Sequence, residues 1–459
     1  MRELSVSLFI VAISCPLVVL LFALIVPILY SSVGYATRSK TLLWIITLLL
    51  FIYYESTVKQ ILVVLDRGEA TILQATLALI LLRSTSIGIE HANVLSMPAK
   101  PKSIQVNRLS LQNLFLLLSY SLYPPTFLFG PLTLYSDWCC SRQYEVTKSV
   151  TVPPGYKGCL VTRILSCKNL VWRGVRLVFW FLFWEFIIHV VYPRALIYSM
   201  TKPIMGVPPP PLDSNATTFH GSRFIKSDRS APGCAVYLLG MQFYFTYLQI
   251  YGWPSWFSDL EMLINKGTSS GDGVLCLVPD GPQCFSHMLL FSQIWRTFDR
   301  GLYNFLKWYV YLPWLNQAEG PSLCRKVLAG LLVFTFVLIF HTMNEVNSIW
   351  VLINILQVFF EQLIRWAYKS TQFGDSVRAR FSPDNIQRLT GILCSVSGMI
   401  SSAGFFFFSL GYSSGIWIFY LMFFDPIYLP VSLVLFYCTY QLSTEMESLP
   451  NNKMKNKVC

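Results

Sequence analysis

Charge is scarce in this chain: Asp, Glu, Lys and Arg make up only 13% of its 459 residues, about half the share usual in soluble domains. No polar stretch is long enough for a soluble domain of useful size; the longest are residues 136–168, 199–231, 255–284 and 367–388. Zinc-type CxxC pairs are absent, and the 12 cysteines are scattered, many inside apolar runs, so neither a metal knuckle nor a disulfide framework is implied. There is no internal duplication, which argues against an inverted-repeat transporter. Histidine is rarer still, with five residues in all, so each can be weighed singly.

What the chain has is long apolar blocks. Apolar residues reach 54%, and they concentrate at 7–30, 177–192, 327–340 and 416–440, each bounded by polar or basic residues. A helix needs about 20 largely apolar residues to cross a hydrocarbon layer of roughly 30 Å. The pattern predicts an all-α polytopic membrane protein, with spans near 5–30, 41–65, 70–88, 110–135, 174–198, 233–252, 303–316, 327–343, 346–366, 389–410 and 414–441. The first run is too long for a signal peptide and further spans follow it, so it reads as an uncleaved helix. We expect one membrane domain over 1–459: N-terminal helices to residue 100, a core from 108 to 441, and a short basic tail, 442–459.

The net charge of +12 could suggest nucleic acid. In a membrane chain it points instead to cytoplasmic loops that face anionic lipids and phosphate-bearing substrates. The Arg325-Lys326 pair and the tail lysines Lys453, Lys455 and Lys457 fit that side. Asn215-Ala216-Thr217, near the proline run Pro208 to Pro211, is a glycosylation acceptor only if lumenal. Cys139, Cys140 and Cys459 lie where S-acylation is feasible.

Ionisable residues inside apolar sequence are costly, and function is the default explanation. His341 follows fourteen apolar or small residues, 327–340; the alternative is a core histidine bonded to a carbonyl. Asp299 stands one residue from Arg300 and three from Arg296, and from spacing alone an ion pair explains it equally. Glu185 and His189 share one helical face, where a structural hydrogen bond is as good a reading as a catalytic one. His91 and His287 flank apolar runs and read as structural, and His220 as solvated. Tyr123-Pro124-Pro125-Thr126-Phe127-Leu128-Phe129-Gly130-Pro131 breaks a helix in apolar surroundings, which demands burial in protein or against a cavity.

Taken together in order and spacing, these motifs resemble the membrane-bound O-acyltransferase superfamily, and within it the hedgehog acyltransferases. The similarity runs from about Ile72 to the last span. It is carried by Ile72-Leu73-Gln74 through Ser84-Thr85-Ser86 and Glu90, by the Tyr123-Pro124…Gly130-Pro131 turn, and by Glu185, His189 and Tyr192. Cys284 precedes Asp299 by fifteen residues, and the most specific stretch is Trp295 to Leu306 followed by Tyr309-Val310-Tyr311. Phe334-Thr335-Phe336-Val337…His341 and Arg380-Phe381-Ser382-Pro383 complete the pattern. The chain departs from the family's Trp-His-Gly-Gly by reading Phe340-His341-Thr342-Met343, which changes the backbone beside the histidine. The proline-rich 199–231 loop is also longer than the family leads one to expect.

The resemblance implies a fold of about ten to twelve transmembrane or re-entrant helices around a central tunnel. It implies His341 and Asp299 as catalytic pair, Trp295, Arg296 and Asn304 as substrate contacts, and Cys284 as axial thiolate to a haem b iron; by itself Cys284 is a plain buried cysteine. The expected reaction moves palmitoyl from palmitoyl-CoA to the N-terminal Cys amine of a secreted hedgehog-type signalling protein, in endoplasmic reticulum or Golgi membrane, with membrane lipids as surroundings and no nucleic acid. Competing readings are an acyltransferase acting on a lipid or Ser hydroxyl, and an inactive regulatory homologue.

Overall fold

The computed structural model describes residues 2–61, 67–94, 111–128, 130–147, 160–201, 231–266, 274–284, 290–315 and 322–448. Asn215, His220, His287, the proline run, Cys459 and the tail lysines lie outside the described residues. The described chain is helical apart from two three-residue strands, Val161–Arg163 and Val274–Cys276, which pair antiparallel with Val161 opposite Cys276. That small sheet is the one departure from an all-helical reading.

Four described helices are long and apolar enough to cross a membrane: Leu17–Thr37, Cys167–Ile197, Glu345–Ser370 and Pro383–Leu410. The pair Tyr412–Phe424 and Tyr428–Met446, bent by 84°, adds a broken span or re-entrant loop. Several of the expected spans are interrupted, one of them at the break that Tyr123-Pro124 leads one to expect. The run at 5–30 breaks at Pro16 into Arg2–Ser14 and Leu17–Thr37. The run at 110–135 ends at Ser121, before the Tyr123-Pro124 turn. The run at 303–316 is divided by a π-helix, Lys307–Tyr311. Proline accounts for the first two breaks, because it removes a helix donor and crowds the preceding turn.

The chain divides into two compact units, each assembled from three stretches. The first is Met1–Val178, Leu248–Gly281 and Asp299–Thr342; the second is Phe179–Tyr247, Pro282–Phe298 and Met343–Cys459. Leu17–Thr37 and Arg67–Val94 both pack on Leu111–Ser121 within the first unit.

In the first unit, Leu17–Thr37 lies along Arg67–Val94, with Lys40–Ile61 beside them. Their contact is threaded by polar groups: Tyr30 to Thr47 at 3.0 Å, Thr47 to Thr85 at 2.9 Å, and Ser31 to His91 Nδ1 at 3.0 Å. Helices surrounded by lipid gain little from hydrophobic association, so such bonds help to choose the partner. The broken Tyr-Pro segment is buried in protein: Thr126, Phe127, Leu132, Thr133 and Leu134 are all buried. Arg83, itself buried, donates to the Ser121 and Thr126 carbonyls, and the Tyr120 hydroxyl donates to Thr133 O at 2.5 Å.

A second polar knot sits at the strand pair. Arg163 donates to Asp259 at 2.9 Å, to Asp280 at 2.8 Å and to the Val278 carbonyl at 2.8 Å. Arg173 also pairs with Asp259 and donates to Ser255 Oγ at 2.8 Å. Burial disfavours the Arg163 charge, but Asp259 and Asp280 outweigh it and raise its pKa above the usual arginine range. Burial likewise opposes the Asp280 charge, yet Arg163 and Arg300 hold its carboxyl below the usual value. The stabilisation from Asp280 is therefore present above the unfolded carboxylate pKa, about 3.9, and fades as pH falls through the lower folded value.

Asp259 is fully buried between two guanidinium groups. Asp259→Ala should cost about 1.5–3 kcal/mol, because it removes charge-assisted hydrogen bonds from two part-buried guanidinium groups, of which Arg163 keeps Asp280. Thermal unfolding in detergent measures this; an unchanged midpoint would show that Asp280 alone holds Arg163.

Candidate active site

His341 closes the 18-residue helix Leu323–Phe340. The helix starts where Ser322 accepts the Arg325 N–H at 3.3 Å, and from Arg325 to His341 it advances about 24 Å. The His341 N–H still donates to Val337 O at 3.0 Å, completing the last turn. Its half-buried ring meets Phe340 edge-on at 5.0 Å. The next residue, Thr342, is left-handed with φ 69. This is where the resemblance leads one to expect glycine, and a β-branched side chain is rarely found there. Beyond it, Asn344 caps Glu345–Ser370 by accepting the Asn347 N–H at 2.8 Å.

Asp299 is the N-cap of the helix Arg300–Leu306. Its Oδ1 accepts the Leu302 N–H at 3.0 Å and the Tyr251 hydroxyl at 2.6 Å, while Tyr251 Oη accepts the Gly301 N–H at 3.0 Å. The arginine ion pair open from spacing is not how the carboxylate is held. Arg300 turns to Asp280, 4.0 Å away, and Arg296 is exposed. Gly301 is required by contact, because a Cβ there would lie 2.5 Å from the Leu132 carbonyl oxygen. The helix that carries Asp299 thus docks backbone to backbone on the chain after Gly130-Pro131.

Asn304 is half-buried on this same helix, and its carbonyl accepts the Lys307 N–H at the start of the π-helix. On the π-helix, the Tyr309 hydroxyl donates to Glu90 at 2.8 Å and lies 2.9 Å from Ser86 Oγ, which in turn accepts the Tyr135 N–H at 2.9 Å. Phe305 stands between Tyr309, Trp44 and Phe336, at 5.2, 6.0 and 6.4 Å. These rings join the helix of Asp299 and Asn304 to the helix that ends at His341. π-Helices are uncommon and gather at functional sites.

Trp295 and Arg296 belong to the second unit, on the short helix Phe291–Thr297. Trp295 is half-buried, with its ring 5.8 Å from Trp350. Glu361 anchors that helix by accepting both the N–H and the hydroxyl of Ser292, at 2.9 and 2.7 Å. Cys284 is half-buried, and the Gln283 N–H beside it donates to Thr297 O at 3.3 Å. A single thiolate is a sufficient protein ligand for a haem iron, so the donor chemistry of Cys284 fits that group. Among the described residues, no three His, Cys, Asp or Glu gather as a metal site.

Two other sequence candidates resolve as local structure. His189 Nδ1 lies 2.7 Å from the Glu185 carbonyl oxygen and 3.6 Å from its carboxylate, both side chains being exposed. His91 is buried on Ser31 and stacked on Tyr35 at 4.4 Å. Sequence reasoning missed Tyr251, which is one of many aromatics along Ala231–Lys266 and has no local mark of its role. It also missed the Glu90–Tyr309 bond, although both residues fall within recognised motifs.

With this geometry in view, the membrane-bound O-acyltransferase family matches residues 31–404, and the chain belongs to that family of multi-pass membrane proteins. Among individual proteins, it is similar to the mouse (Mus musculus) protein-cysteine N-palmitoyltransferase HHAT, 27% identical over 286 residues, covering 62% of this chain and 48% of the relative. It is also similar to the Drosophila melanogaster protein-cysteine N-palmitoyltransferase Rasp, 21% identical over 278 residues, covering 61% and 45%. The chain spans about half the length of the curated relatives it matches.

Thr342→Gly tests the backbone beside His341. A strained left-handed residue costs about 1–3 kcal/mol, and glycine gives back roughly 0.4–1 kcal/mol through its freer unfolded state. The variant should be about 1 kcal/mol more stable, read as a raised midpoint of thermal unfolding; a lowered midpoint would mean that Thr342 is held by contacts worth more than its strain.

Proposed function

We propose that this protein transfers palmitoyl from palmitoyl-CoA to the N-terminal amine of a secreted signalling protein of hedgehog type, forming an amide. The observation that carries the proposal is the placement of His341 at the C-terminal end of a long apolar helix, one turn beyond the ring of Phe336 that meets Phe305 on the Asp299–Asn304 helix. Membership of an acyltransferase family and similarity to two proteins named as cysteine N-palmitoyltransferases support the same reaction.

In this reading the acceptor nitrogen attacks the thioester carbonyl carbon, the carbon–sulfur bond breaks, and CoA leaves as thiolate. His341 takes the proton that the amine loses and returns it to the departing sulfur, so the products are an amide and free CoA. An α-amine has a pKa of about 8, so a modest base suffices, and alignment of two substrates supplies much of the rate. Asp299 acts by orientation: its Oδ1 already accepts two hydrogen bonds, which fixes the first turn of its helix and the setting of Asn304. Trp295 and Arg296 serve the donor, the ring against its acyl or thioester portion and the guanidinium with its phosphates. We place the protein in endoplasmic reticulum or Golgi membrane, where a cytosolic donor and a lumenal acceptor can meet inside the bilayer.

Haem b, if bound, would be held by the Cys284 thiolate and would supply structural cross-linking. Purified protein from haem-supplemented cells should then show a Soret band that Cys284→Ala removes. A wild-type protein with no such band would dismiss the cofactor and leave the transferase reading intact.

A second reading, a regulatory homologue without turnover, is favoured by two observations: the committed cap geometry of Asp299, and Thr342 in the left-handed turn. Incubation of purified protein with labelled palmitoyl-CoA and an N-terminal Cys peptide separates the two. Amide product that resists neutral hydroxylamine, and is blocked by acetylating the peptide amine, is the expected result. His341→Ala should lose at least about a hundredfold in rate, the scale of one general base, with folding retained. Asp299→Asn should keep more activity than Asp299→Ala. Label released by hydroxylamine would point to thiol acylation, and wild-type turnover in His341→Ala would remove the histidine from the mechanism.

A further inference from the structure

The helix Gln372–Arg380 joins two candidate spans, Glu345–Ser370 and Pro383–Leu410, and takes no part in the chemistry above. Because one span ends and the next begins there, the connecting helix lies at a single membrane face. Over residues 365–388 the sequence holds five basic residues and two acidic ones. Arg365 is committed to Glu361 at 2.5 Å and Arg378 to Asp375 at 2.6 Å. Lys369, Arg380 and Arg388 are exposed and form no ion pair among the described residues.

Between these cations runs an apolar stripe at helical spacing: Phe373, Val377 and Phe381. Phe373 is 61% exposed, Phe381 38%, and the neighbouring Trp366 47%. Aromatic rings left open beside cations are unfavourable against water but suit the headgroup boundary, where rings enter the acyl edge and charges stay in the polar layer.

The helix is also held rigidly in that attitude. A Cβ on Gly374 would fall 1.8 Å from the Tyr368 carbonyl oxygen, so only glycine lets the helix pack against the end of the preceding span. Arg378 donates to that same carbonyl at 3.0 Å and lies 4.9 Å from the Tyr368 ring. At the other end, Ser382 accepts the Asn385 N–H at 3.4 Å and caps the next span. The stripe and its cations are thus presented by two braced spans.

We propose that Gln372–Arg380, with Lys369, Arg380 and Arg388, is an interfacial binding surface for anionic lipid headgroups such as phosphatidylserine. Phe373, Val377 and Phe381 enter the acyl boundary, and the three unpaired cations take the headgroup phosphate and carboxylate. The surface works independently of acyl transfer, so it stands or falls apart from the function proposed above.

The test uses the full chain, purified from nanodiscs of phosphatidylcholine mixed with phosphatidylserine, with retained lipids counted by native mass spectrometry. Each basic residue near an anionic surface contributes about fivefold in affinity. The wild type should retain phosphatidylserine over phosphatidylcholine, and K369Q/R380Q/R388Q should lose about a hundredfold of that preference. Added salt should weaken the wild-type preference, because exposed charges are screened. If the triple variant fails to fold, Ala379→Glu replaces it: Ala379 is exposed, and a carboxylate there should lower the preference several-fold with every native contact kept. No lipid selectivity in the wild type, or full selectivity in the variants, would overturn the proposal. Displacement of the retained phosphatidylserine by CoA would overturn it too, reassigning the surface to a soluble polyphosphate.

Discussion

Wherever an apolar helix stops in this protein, the peptide groups of its last turn lose their partners in surroundings that offer little water. Each unpaired group costs several kcal/mol in hydrocarbon, so every break has to be answered from within the chain. The architecture follows from those answers. Arg83 reaches two carbonyls around the Tyr123-Pro124 turn, Ser86 takes the Tyr135 N–H beyond it, and Ser322, Asn344 and Ser382 cap the helices that begin after breaks. These side chains sit on other elements or just outside their own, and so the breaks also specify which helices lie together.

The candidate site is built from the same device. Asp299 caps the helix that bears Asn304, Tyr251 braces both the carboxylate and the Gly301 N–H, and His341 completes the final turn of its helix. A residue that ends a helix has a backbone fixed by hydrogen bonds on one side and free to turn on the other. That combination places a side chain accurately without burying it completely. It also means that structural and chemical duties fall on one carboxylate, which is why Asp299 is better read as a positioning group than as a proton carrier.

The second unit shows how polar residues are housed in a long span. Asn347, Asn354 and Gln357 line one face of Glu345–Ser370 at helical spacing and are buried. Gln357 exchanges hydrogen bonds with Ser397 O and Ser401 Oγ, at 3.0 and 2.8 Å. A turn further on, Glu361 serves Ser292 and Arg365 together. The stripe ties this span to Pro383–Leu410 and anchors the short helix of Trp295.

The class of this protein was legible in one dimension. Blocks of apolar residues with little charge can only be accommodated in lipid or in a very large core, and the spacing of His341, Asp299 and the Trp295 stretch was enough to suggest the family. Proline placed the break at Tyr123-Pro124 before any coordinates did. What the chain could not disclose were relations between residues far apart in sequence. Tyr251 lies 48 residues from Asp299, and Glu90 lies 219 from Tyr309. Local spacing could not choose between an arginine and a distant tyrosine for Asp299. Nor could it forecast the strand pair, beside which Arg163 meets Asp259 and Asp280 from separate segments. Composition and periodicity record what each segment can bury. Which polar group answers which is settled only when the helices pack, because a hydrogen bond needs its two atoms about 3 Å apart, and nothing local in the sequence sets that distance.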